Sequence, residues 1–406
     1  MRVAVVGAGA AGLGVAYALT GDGRNAHDSA DHDVTLFERR DRPGGRMATR
    51  RHDDCVYDTG ANYVKSDDER VAGLLREEFG DALATVEGDV WTFDADCRIS
   101  EGRGDDEPKW TNRQGISRLG DRLEAATDAT LETGVRVEKL AYDEDGERWH
   151  VETDGGQRRS DGRRRGPWDA LVLTPPAPVT ASLLDRADWT DDLRRDLREH
   201  VGHVPYRTVT TVALHYPFEV ERPYYALVYD GGRRHEEERD ADEEGGDGDE
   251  KERDGDRERE DADEDDERGQ DEGRVQCHDV GWLAREECKP GHVPDGQSLL
   301  VAQMAPDWSA EWYDRSDADV ATAAADGVAD LLDDHALAAP DWYDVVRWRD
   351  ALPDAGADPQ VLARAERASL WFAGDWVAGE GRVNQALRSG LDAGDRIRRS
   401  LSSAGD

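Results

Sequence analysis

Lysine is scarce in this chain of 406 residues: Lys65, Lys109, Lys139, Lys251 and Lys289 are its only lysines among 52 basic residues. Long apolar runs are also missing, since none reaches the roughly 18 residues that a membrane-spanning helix requires. No cationic, apolar leader precedes the first strand. The missing apolar run and leader predict a protein that does not span a membrane, and the acidic surface described below argues against docking on anionic lipid.

Cysteine is nearly as rare. The four cysteines, Cys55, Cys97, Cys277 and Cys288, lie far apart and form no CxxC pair. Disulfide frameworks and zinc sites usually show paired, regularly spaced cysteines. We therefore interpret all four as reduced thiols, expect no metal site, and place the protein in the cytoplasm.

Positive charge is outweighed by negative charge. The chain has 92 Asp+Glu against 52 Lys+Arg, a net charge of −40. Residues 231–274 contribute 23 acidic and 9 basic residues, which leaves −26 on the rest. Nucleic-acid binding needs a cationic stripe, so it is not expected. An acidic surface rich in Arg is typical of a halophilic protein, because concentrated salt screens the repulsion; general acidity for solubility is the alternative.

The acidic segment itself, residues 231–274, is almost devoid of apolar side chains. Such a segment cannot bury enough surface to offset the entropy of ordering. We predict a disordered insertion within a hairpin, with an interaction tail as the alternative.

What the sequence does contain begins with a strand–turn–helix pattern, RVAVV, GAGAAG and LGVAYAL. In the turn, Gly7 permits the tight bend, Gly9 lets the backbone approach a pyrophosphate, and Gly12 lets the helix pack on the strand. The free N–H groups and positive dipole of the helix N-terminus favour phosphate there. The pattern predicts a dinucleotide-binding site.

The second strand, VTLFE, ends in Glu38, which is placed to accept hydrogen bonds from ribose hydroxyls. A solvated carboxylate at a strand end is the alternative. Arg39 and Arg40 would suit the 2′-phosphate of NADP. The following Gly44, Gly45 and Arg46 favour FAD instead, because they bring bare backbone and a second cation to the pyrophosphate.

At this point the chain resembles the flavin-containing amine oxidase superfamily and, within it, the renalase-like branch. The motifs that carry the resemblance span most of the chain outside the acidic segment: GAGAAG (7–12), GGRM (44–47), DTGANYV (58–64), RQGISRL (113–119), VLTPPAP (172–178), KPG (289–291), WRDALP (348–353), and FAGDW with GRVNQALRSG (372–390).

The resemblance implies a set of cofactor-binding residues. Ala11, Arg39, Gly45 and Arg46 would lie at the adenosine and phosphate end, and Val137 on the adenine side. Asn62 and Tyr63 would lie beside the isoalloxazine. Gly374 and Asp375 would hold ribityl or phosphate hydroxyls, and the helix beginning near Val383 would direct its N-terminal dipole at the flavin.

Two features found among amine oxidases are missing: the Cys by which the covalent ones attach FAD, and a cage of Tyr and Trp near the C-terminal motif. Residues 372–390 contain neither Cys nor His, so we expect non-covalent FAD. An aromatic cage near the C-terminal motif could draw only on Trp371 and Trp376, because no Tyr follows Tyr343. This counts against simple amine oxidation.

Four residues are weak catalytic candidates: Trp282, Lys289, Tyr206 and His203. Trp282 and Lys289 come from the part expected to cover the flavin, and Tyr206 and His203 precede a long predicted strand. A core tryptophan, a turn lysine and a structural histidine are the alternatives for Trp282, Lys289 and His203.

The sequence thus predicts an α/β protein. A discontinuous Rossmann-type FAD-binding domain (1–64, 111–180 and 340–406) would be joined to a smaller α+β substrate domain on an antiparallel sheet (65–110 and 181–339). Residues 169–176 are expected to close a small β-meander.

By resemblance, the enzyme would oxidise dihydronicotinamide isomers of NAD(P)H by hydride transfer to flavin N5, with O₂ as acceptor and H₂O₂ as product. An amine oxidase or isoprenoid desaturase on the same fold, or a non-catalytic flavin-binding scaffold, are the alternatives. The partner is a small-molecule substrate, and the sequence indicates no oligomeric state.

Overall fold

Five parallel strands form the sheet on which the N-terminal motif lies. The computed structural model describes residues 1–21, 32–102, 107–154, 163–231 and 276–402. Strands are numbered here in chain order, and those of this sheet are β1 (Arg2–Val6), β2 (Asp33–Glu38), β9 (Thr130–Thr133), β13 (Ala170–Leu173) and β19 (Leu370–Phe372). Their order across the sheet is β19-β13-β1-β2-β9.

Successive side chains of β1 enter two different cores, because a strand presents alternate residues to opposite faces. Val3 and Val5 pack with four helices on one face, and Ala4 and Val6 pack with elements on the other. The strands of a parallel sheet that is covered on both faces have apolar residues at successive positions, which explains the RVAVV pattern of β1.

The elements on the two faces are as follows. The first face carries α1 (Ala10–Thr20), α2 (Glu69–Phe79), α3 (Ser117–Ala125) and α10 (Val383–Ser402). The second face carries α4 (Ala177–Asp185), α5 (Asp192–Gly202), α8 (Pro359–Ala363), α9 (Asp375–Ala378) and an antiparallel sheet of β10 (Val137–Asp143), β11 (Arg148–Thr153) and β12 (Arg163–Trp168).

A second large sheet has seven strands, mostly antiparallel, in the order β18-β14-β17-β16-β15-β6-β7. These strands are β6 (Val90–Phe93), β7 (Ile99–Ser100), β14 (Tyr206–Tyr216), β15 (Ala226–Tyr229), β16 (Val280–Arg285), β17 (Ser298–Met304) and β18 (Trp342–Pro353). The helix α7 (Asp317–Leu332) packs on one face, with α6 (Pro306–Glu311) before it in the chain.

Two small two-stranded antiparallel sheets and five short 3₁₀ helices complete the description. The first sheet is the hairpin of β3 (Thr49–His52) and β4 (Cys55–Asp58), and the second pairs β5 (Leu83–Thr85) with β8 (Trp110–Asn112). The 3₁₀ turns are Gly80–Ala82, Cys277–Asp279, Glu286–Cys288, His335–Ala338 and Arg364–Ala368. No helix in the described ranges is both long and apolar enough to cross a membrane.

The predicted α/β class with a sheet-rich second part is confirmed, but two strands are not where we expected them. Residues 170–173 form β13 of the parallel sheet, and β12 closes the meander instead. β18, which the predicted FAD-binding domain included, pairs with β14 in the seven-stranded sheet. Both errors arise because strand pairing is a long-range choice that local patterns do not encode. The remaining domain boundaries stay a proposal.

The interpretation of all four cysteines as reduced thiols is wrong. Cys97 and Cys277 form a disulfide across 180 residues of sequence, and only Cys55 and Cys288 are free thiols. The pair was hidden because the turn after β6 meets the start of β16 only in the folded sheet. The disulfide removes the cysteine-based reason for placing the protein in a reducing compartment.

The predicted disordered insertion, residues 231–274, lies outside the described residues except for Gly231. The strands on either side of it, β15 and β16, pair antiparallel, with Ala226 opposite Ala284.

Candidate active site

Two glycine-rich turns meet at the carboxyl edge of the parallel sheet. A Cβ on Gly12 would lie 2.0 Å from the Gly7 carbonyl oxygen, so only glycine lets α1 begin here. Gly7 has a φ of +98°, and Gly44 N–H donates to the Ala8 carbonyl at 2.8 Å. A Cβ on Gly45 would lie 3.2 Å from Gly9 Cα. The turns therefore form one bare backbone surface at the N-terminus of α1, where a pyrophosphate is favoured.

Glu38 lies at the same edge, at the end of β2. Its side chain is buried, and its two carboxylate oxygens accept the backbone N–H groups of Ala8 and Arg40, each at 2.9 Å. Each oxygen has a second lone pair, which remains suited to a ribose hydroxyl. Val135 N–H donates to the Glu38 carbonyl at 2.9 Å, so the chain leading into β10, and with it Val137, passes beside this residue.

Arg46 and Asp375 join the two ends of the site. Arg46 Nη1 lies 2.7 Å from Asp375 Oδ2, and Nη2 lies 2.8 Å from Oδ1. Asp375 follows β19 and is 3% exposed. Gly374 N–H donates to Ser389 Oγ at 3.1 Å, which ties the strand end to α10. Paired charge-assisted hydrogen bonds of this kind fix both position and orientation.

The end of β18 covers the second glycine turn. Arg46 Nη1 also donates to the Ala351 carbonyl at 2.8 Å. Trp348 Nε1 donates to the Thr59 carbonyl at 2.7 Å, and the Arg40 guanidinium lies 5.0 Å from the Trp348 ring centroid. The motif WRDALP therefore connects the second sheet to the segment between Gly44 and Thr59. Arg39, in contrast, is exposed at the surface.

Unpaired polar atoms provide a test of whether a flavin fits. Asn62 Oδ1 and Gln385 Oε1 are buried and find no hydrogen-bond partner in the described parts of the chain. Gln385 lies in the first turn of α10, two residues after Val383. The resemblance places the flavin ring beside Asn62 and this helix N-terminus. Two buried acceptors suit a ring that carries an N–H donor, so the residues present fit FAD.

The aromatic cluster of this site differs from the one that the sequence suggested. Trp371 and Trp376 are buried in the two cores on opposite sides of the parallel sheet. Tyr63, Tyr225 and Trp282 instead form a triangle, with ring centroids 6.2 Å apart for Tyr63–Tyr225 and Tyr63–Trp282, and 6.3 Å for Tyr225–Trp282. This triangle, called the aromatic cluster below, places Trp282 beside a predicted flavin neighbour.

Lys289 lies in a group of buried charges and is not an exposed turn residue. Its Nζ is 2.9 Å from Asp58 Oδ2 and 2.7 Å from Glu286 Oε1. Asp58, Glu286 and His292 could by their spacing also ligate a metal. The Lys289 ammonium already supplies a cation between the two carboxylates, and the expectation of no metal stays a prediction.

The two remaining catalytic candidates lie elsewhere. Tyr206 begins β14 beside the Arg46–Asp375 pair; burial and the neighbouring Asp375 carboxylate raise its pKa. His203 is exposed at the end of α5, where its Nδ1 is hydrogen-bonded to the Glu199 carbonyl at 2.7 Å. It lines an open groove between α4 and α5 that none of the predicted cofactor residues lines.

With this geometry established, comparison with known proteins identifies the family. Residues 5–77 match the NAD(P)-binding Rossmann-like domain. Residues 81–398, more than half of the chain, match the family described as flavin-containing amine oxidoreductase. The chain belongs to the flavin-containing amine oxidoreductase family. It is an FAD-dependent oxidoreductase, and the predicted flavin cofactor is confirmed at this level.

Similar structures share the fold of this flavoenzyme. A protein from Exiguobacterium sp. 255-15 that is provisionally named a protoporphyrinogen oxidase has a TM-score of 0.69 at 14% identity, covering 98% of this chain and 99% of that one. Putrescine oxidase bound to putrescine has a TM-score of 0.61 at 14% identity, with 98% and 99% coverage. Cyclohexylamine oxidase from Brevibacterium oxydans IH-35A has 0.60 at 16%, with 99% of both chains covered.

Sequence similarity to a curated protein is local. Protoporphyrinogen oxidase 2 of Arabidopsis thaliana, a chloroplastic and mitochondrial protein, is 39% identical over 74 residues. The match covers 18% of this flavoenzyme and 13% of the plant protein. The chain therefore matches only a small part of the length of that protein.

Sequence reasoning overlooked several residues of the site. Tyr225, Glu286 and His292 were not singled out, and Asp58, Trp348 and Ala351 were quoted only as parts of motifs. The one local signal is the spacing of Glu286, Lys289 and His292 around the KPG turn. Charges three residues apart at a turn flanked by apolar strands could have indicated a buried group of the flavoenzyme.

Proposed function

We propose that this flavoenzyme is an oxidase that takes a hydride from the reduced ring of a dihydronicotinamide isomer of NAD(P)H. The observation that carries the proposal is the aromatic cluster of Tyr63, Tyr225 and Trp282, which adjoins the segment expected beside the flavin. Aromatic side chains beside the flavin suit packing against a flat substrate ring.

Hydrogen-bonding groups in the cluster support a carboxamide. Trp282 Nε1 and Tyr225 Oη are buried and lack partners among the described residues. Trp282 can only donate, and Tyr225 can donate or accept. The carbonyl oxygen of a carboxamide can accept from both groups. Leaving such buried groups unpaired is costly, so a ligand that pairs them is favoured.

Bound FAD would accept the hydride and pass two electrons to O₂, with hydrogen peroxide as the product. The chain's own residues then have modest tasks. Tyr63 and Trp282 exclude water and hold the ring, while Tyr225 donates its hydroxyl hydrogen bond. Burial raises the pKa of Tyr225, so this hydroxyl stays protonated throughout the working pH range. Orientation in a dry pocket suffices because a dihydropyridine already has a transferable hydride.

Amine oxidation is the second candidate. Aromatic side chains can also hold an ammonium by cation–π attraction, and putrescine oxidase and cyclohexylamine oxidase share the fold. An ammonium, however, needs acceptors, and Trp282 Nε1 is a donor only. The unpaired donors therefore favour the carboxamide substrate.

We also propose that FAD is held without a covalent bond and that the acidic surface is an adaptation to concentrated salt in the cytoplasm. Support for the first comes from residues 372–390, which lack Cys and His. Support for the second comes from the net charge of −40 and the scarcity of Lys.

Anaerobic stopped-flow reduction tests the substrate. The purified holoenzyme is mixed with dihydronicotinamide isomers, NADH, putrescine or cyclohexylamine, and flavin absorbance is followed. Rapid bleaching by a dihydronicotinamide isomer and not by the amines supports the proposal. Bleaching by an amine alone would replace it with amine oxidation.

The matched control is Trp282→Phe, which keeps an aromatic ring and removes the donor. Reduction by the carboxamide substrate should slow in this variant, while reduction by dithionite should not change.

A further inference from the structure

Four ionisable side chains lie together with no exposure to solvent, and they are called the buried network below: Asp58, Glu286, Lys289 and His292. Lys289 Nζ contacts the carboxylates of Asp58 and Glu286 at 2.9 and 2.7 Å. His292 Nδ1 lies 2.8 Å from Glu286 Oε2. Burying charge is costly unless every charge is paired.

His292 has a hydrogen-bond partner at each ring nitrogen. Its Nδ1 lies 2.8 Å from Glu286 Oε2, and its Nε2 lies 2.9 Å from the Asn112 carbonyl oxygen. The ring therefore ties Glu286 to the end of β8.

The charges stabilise one another. Burial alone would lower the pKa of Lys289, but the Asp58 and Glu286 carboxylates hold it above its ordinary value. Burial opposes ionisation of Glu286 as well, yet Lys289 and His292 hold its pKa below the usual range. Lys289 thus remains an ammonium and is not available as a base.

The buried network joins three parts of the chain: the hairpin of β3 and β4, the segment before α3, and the connection between β16 and β17. Asp58 Oδ1 accepts from Ile116 N–H at 2.9 Å and from Thr49 Oγ at 2.7 Å, in the part that carries the cofactor motifs. Glu286, Lys289 and His292 belong to the connection between β16 and β17 of the seven-stranded sheet.

Asp58 also directly precedes residues 59–63, which the second sheet contacts. Trp348 Nε1 and Gln303 Nε2 donate to the carbonyls of Thr59 and Gly60, each at 2.7 Å. Residues 59–63 are therefore held at one end by the buried network and along their length by the seven-stranded sheet.

We infer that the buried network is a positioning device: it anchors Asp58 to the seven-stranded sheet and so fixes residues 59–63 against the flavin ring. Lys289 is then a positioning residue that acts through Asp58, and not a catalytic amine. The inference rests on the proposed placement of the flavin beside Asn62 and Tyr63.

The experiment separates local positioning from overall stability. Lys289→Met alone leaves the Asp58 and Glu286 carboxylates buried without the ammonium that they share, and this variant is expected to bind little FAD. Lys289→Met combined with Glu286→Gln removes one charge of each sign and keeps the side-chain volumes. Arg364→Met, which breaks the half-exposed pair with Asp196, is the matched control.

Three properties are measured for each variant: the melting temperature, the visible spectrum and Kd of FAD, and backbone hydrogen exchange of the apo- and holoprotein. In the double variant we expect a smaller loss of melting temperature than in Lys289→Met, because fewer buried charges are left unpaired. Exchange of residues 59–63 should rise, and FAD affinity should fall by roughly 10- to 100-fold, the equivalent of about two lost hydrogen bonds. The flavin spectrum of the double variant should shift, while backbone hydrogen exchange in α7 should stay unchanged. Lys289→Arg keeps the positive charge and should therefore bind FAD more tightly than Lys289→Met.

Two results would overturn the inference. Wild-type exchange at residues 59–63 with a wild-type flavin spectrum in the double variant would show that the network positions nothing. Loss of the fold, or hydrogen exchange raised throughout the seven-stranded sheet, would show that the buried network contributes to stability alone.

The proposed function is judged separately, because no substrate enters this assay. If FAD binding leaves exchange at residues 59–63 of the wild-type protein unchanged, the flavin does not lie there and the premise fails. If no dihydronicotinamide reduces the flavin, the proposed substrate is wrong, but the hydrogen-exchange result for residues 59–63 is unaffected.

Discussion

Arg46 and Asp375 form a two-pronged ion pair, with nitrogen–oxygen distances of 2.7 and 2.8 Å, across 329 residues of sequence. One belongs to the second glycine turn, and the other follows the last strand of the parallel sheet. The pair therefore closes the cofactor edge of the fold with residues from both ends of the chain. FAD phosphates and ribityl hydroxyls would bind to groups whose positions are already set, which lowers the cost of ordering on binding.

Replacing Arg46 should weaken FAD binding. Arg46→Ala removes the cation that we expect beside the pyrophosphate and leaves the buried Asp375 without its partner. The loss should be about 2 kcal/mol, roughly 30-fold in Kd, the scale of a charge-assisted hydrogen bond. Flavin fluorescence titration of the apoprotein measures it, with Arg364→Ala as the surface control. Full flavin occupancy of Arg46→Ala at sub-micromolar FAD would argue against this site.

Removing the Tyr225 hydroxyl should impair substrate use and leave the cofactor in place. Tyr225→Phe keeps the ring of the aromatic cluster but deletes a donor, at a cost near 1 kcal/mol or roughly fivefold in kcat/KM. The comparison is steady-state kinetics with the dihydronicotinamide donor against FAD content by absorbance. The hydroxyl would have no role in the substrate site if kcat/KM stayed unchanged.

Flavin should separate from the protein on acid denaturation. Among the described residues, Cys288 is the free thiol that packs against the aromatic cluster. Burial raises its pKa to about 11, so at neutral pH it is not the thiolate that nucleophilic attachment needs. After precipitation, flavin absorbance should appear in the supernatant for wild type and for Cys288→Ser alike. Yellow colour retained in the wild-type pellet would contradict non-covalent binding.

Thiol titration should report two cysteines, not four. In denaturant without reductant, Cys55 and Cys288 should react while Cys97 and Cys277 remain paired. Reduction should raise the count to four. Because the bridge closes a long loop, the Cys97→Ser, Cys277→Ser double variant should lose on the order of 2–5 kcal/mol of unfolding free energy in denaturant titrations. Four reactive thiols before reduction would show that the bridge is not formed.

Salt should stabilise the folded protein. With a net charge of −26 outside residues 231–274, carboxylates repel one another across the surface. At 1 M salt the Debye length falls to about 3 Å, which screens this repulsion. The melting temperature should rise between roughly 0.1 and 2 M KCl. A flat or falling melting temperature would reject the halophilic interpretation.

The same salt titration also tests the charge of the substrate. An anionic dinucleotide is repelled by an acidic protein in dilute buffer, so kcat/KM should rise with salt as well. A cationic amine would be attracted, and its kcat/KM should fall. FAD occupancy is matched at each salt concentration.

Several features of this protein could be predicted from the sequence by itself. The turn from Gly7 to Gly12, the acid Glu38 and the turn ending at Arg46 are local patterns, complete within about 40 residues. Their chemistry depends on backbone geometry that glycine and strand–helix periodicity encode nearby in the chain. The flavin family and the α/β class follow from such patterns.

The tertiary structure decided the rest. Lys289 meets Asp58 across 231 residues, Cys97 meets Cys277 across 180, and Tyr225 meets Tyr63 through a sheet whose strand order is not the chain order. Such contacts arise from long-range strand pairing, which depends on how all strands pack and leaves no periodic trace around either residue. Lys289, for which the sequence suggested a role as a turn residue, is therefore the centre of the buried network in the fold.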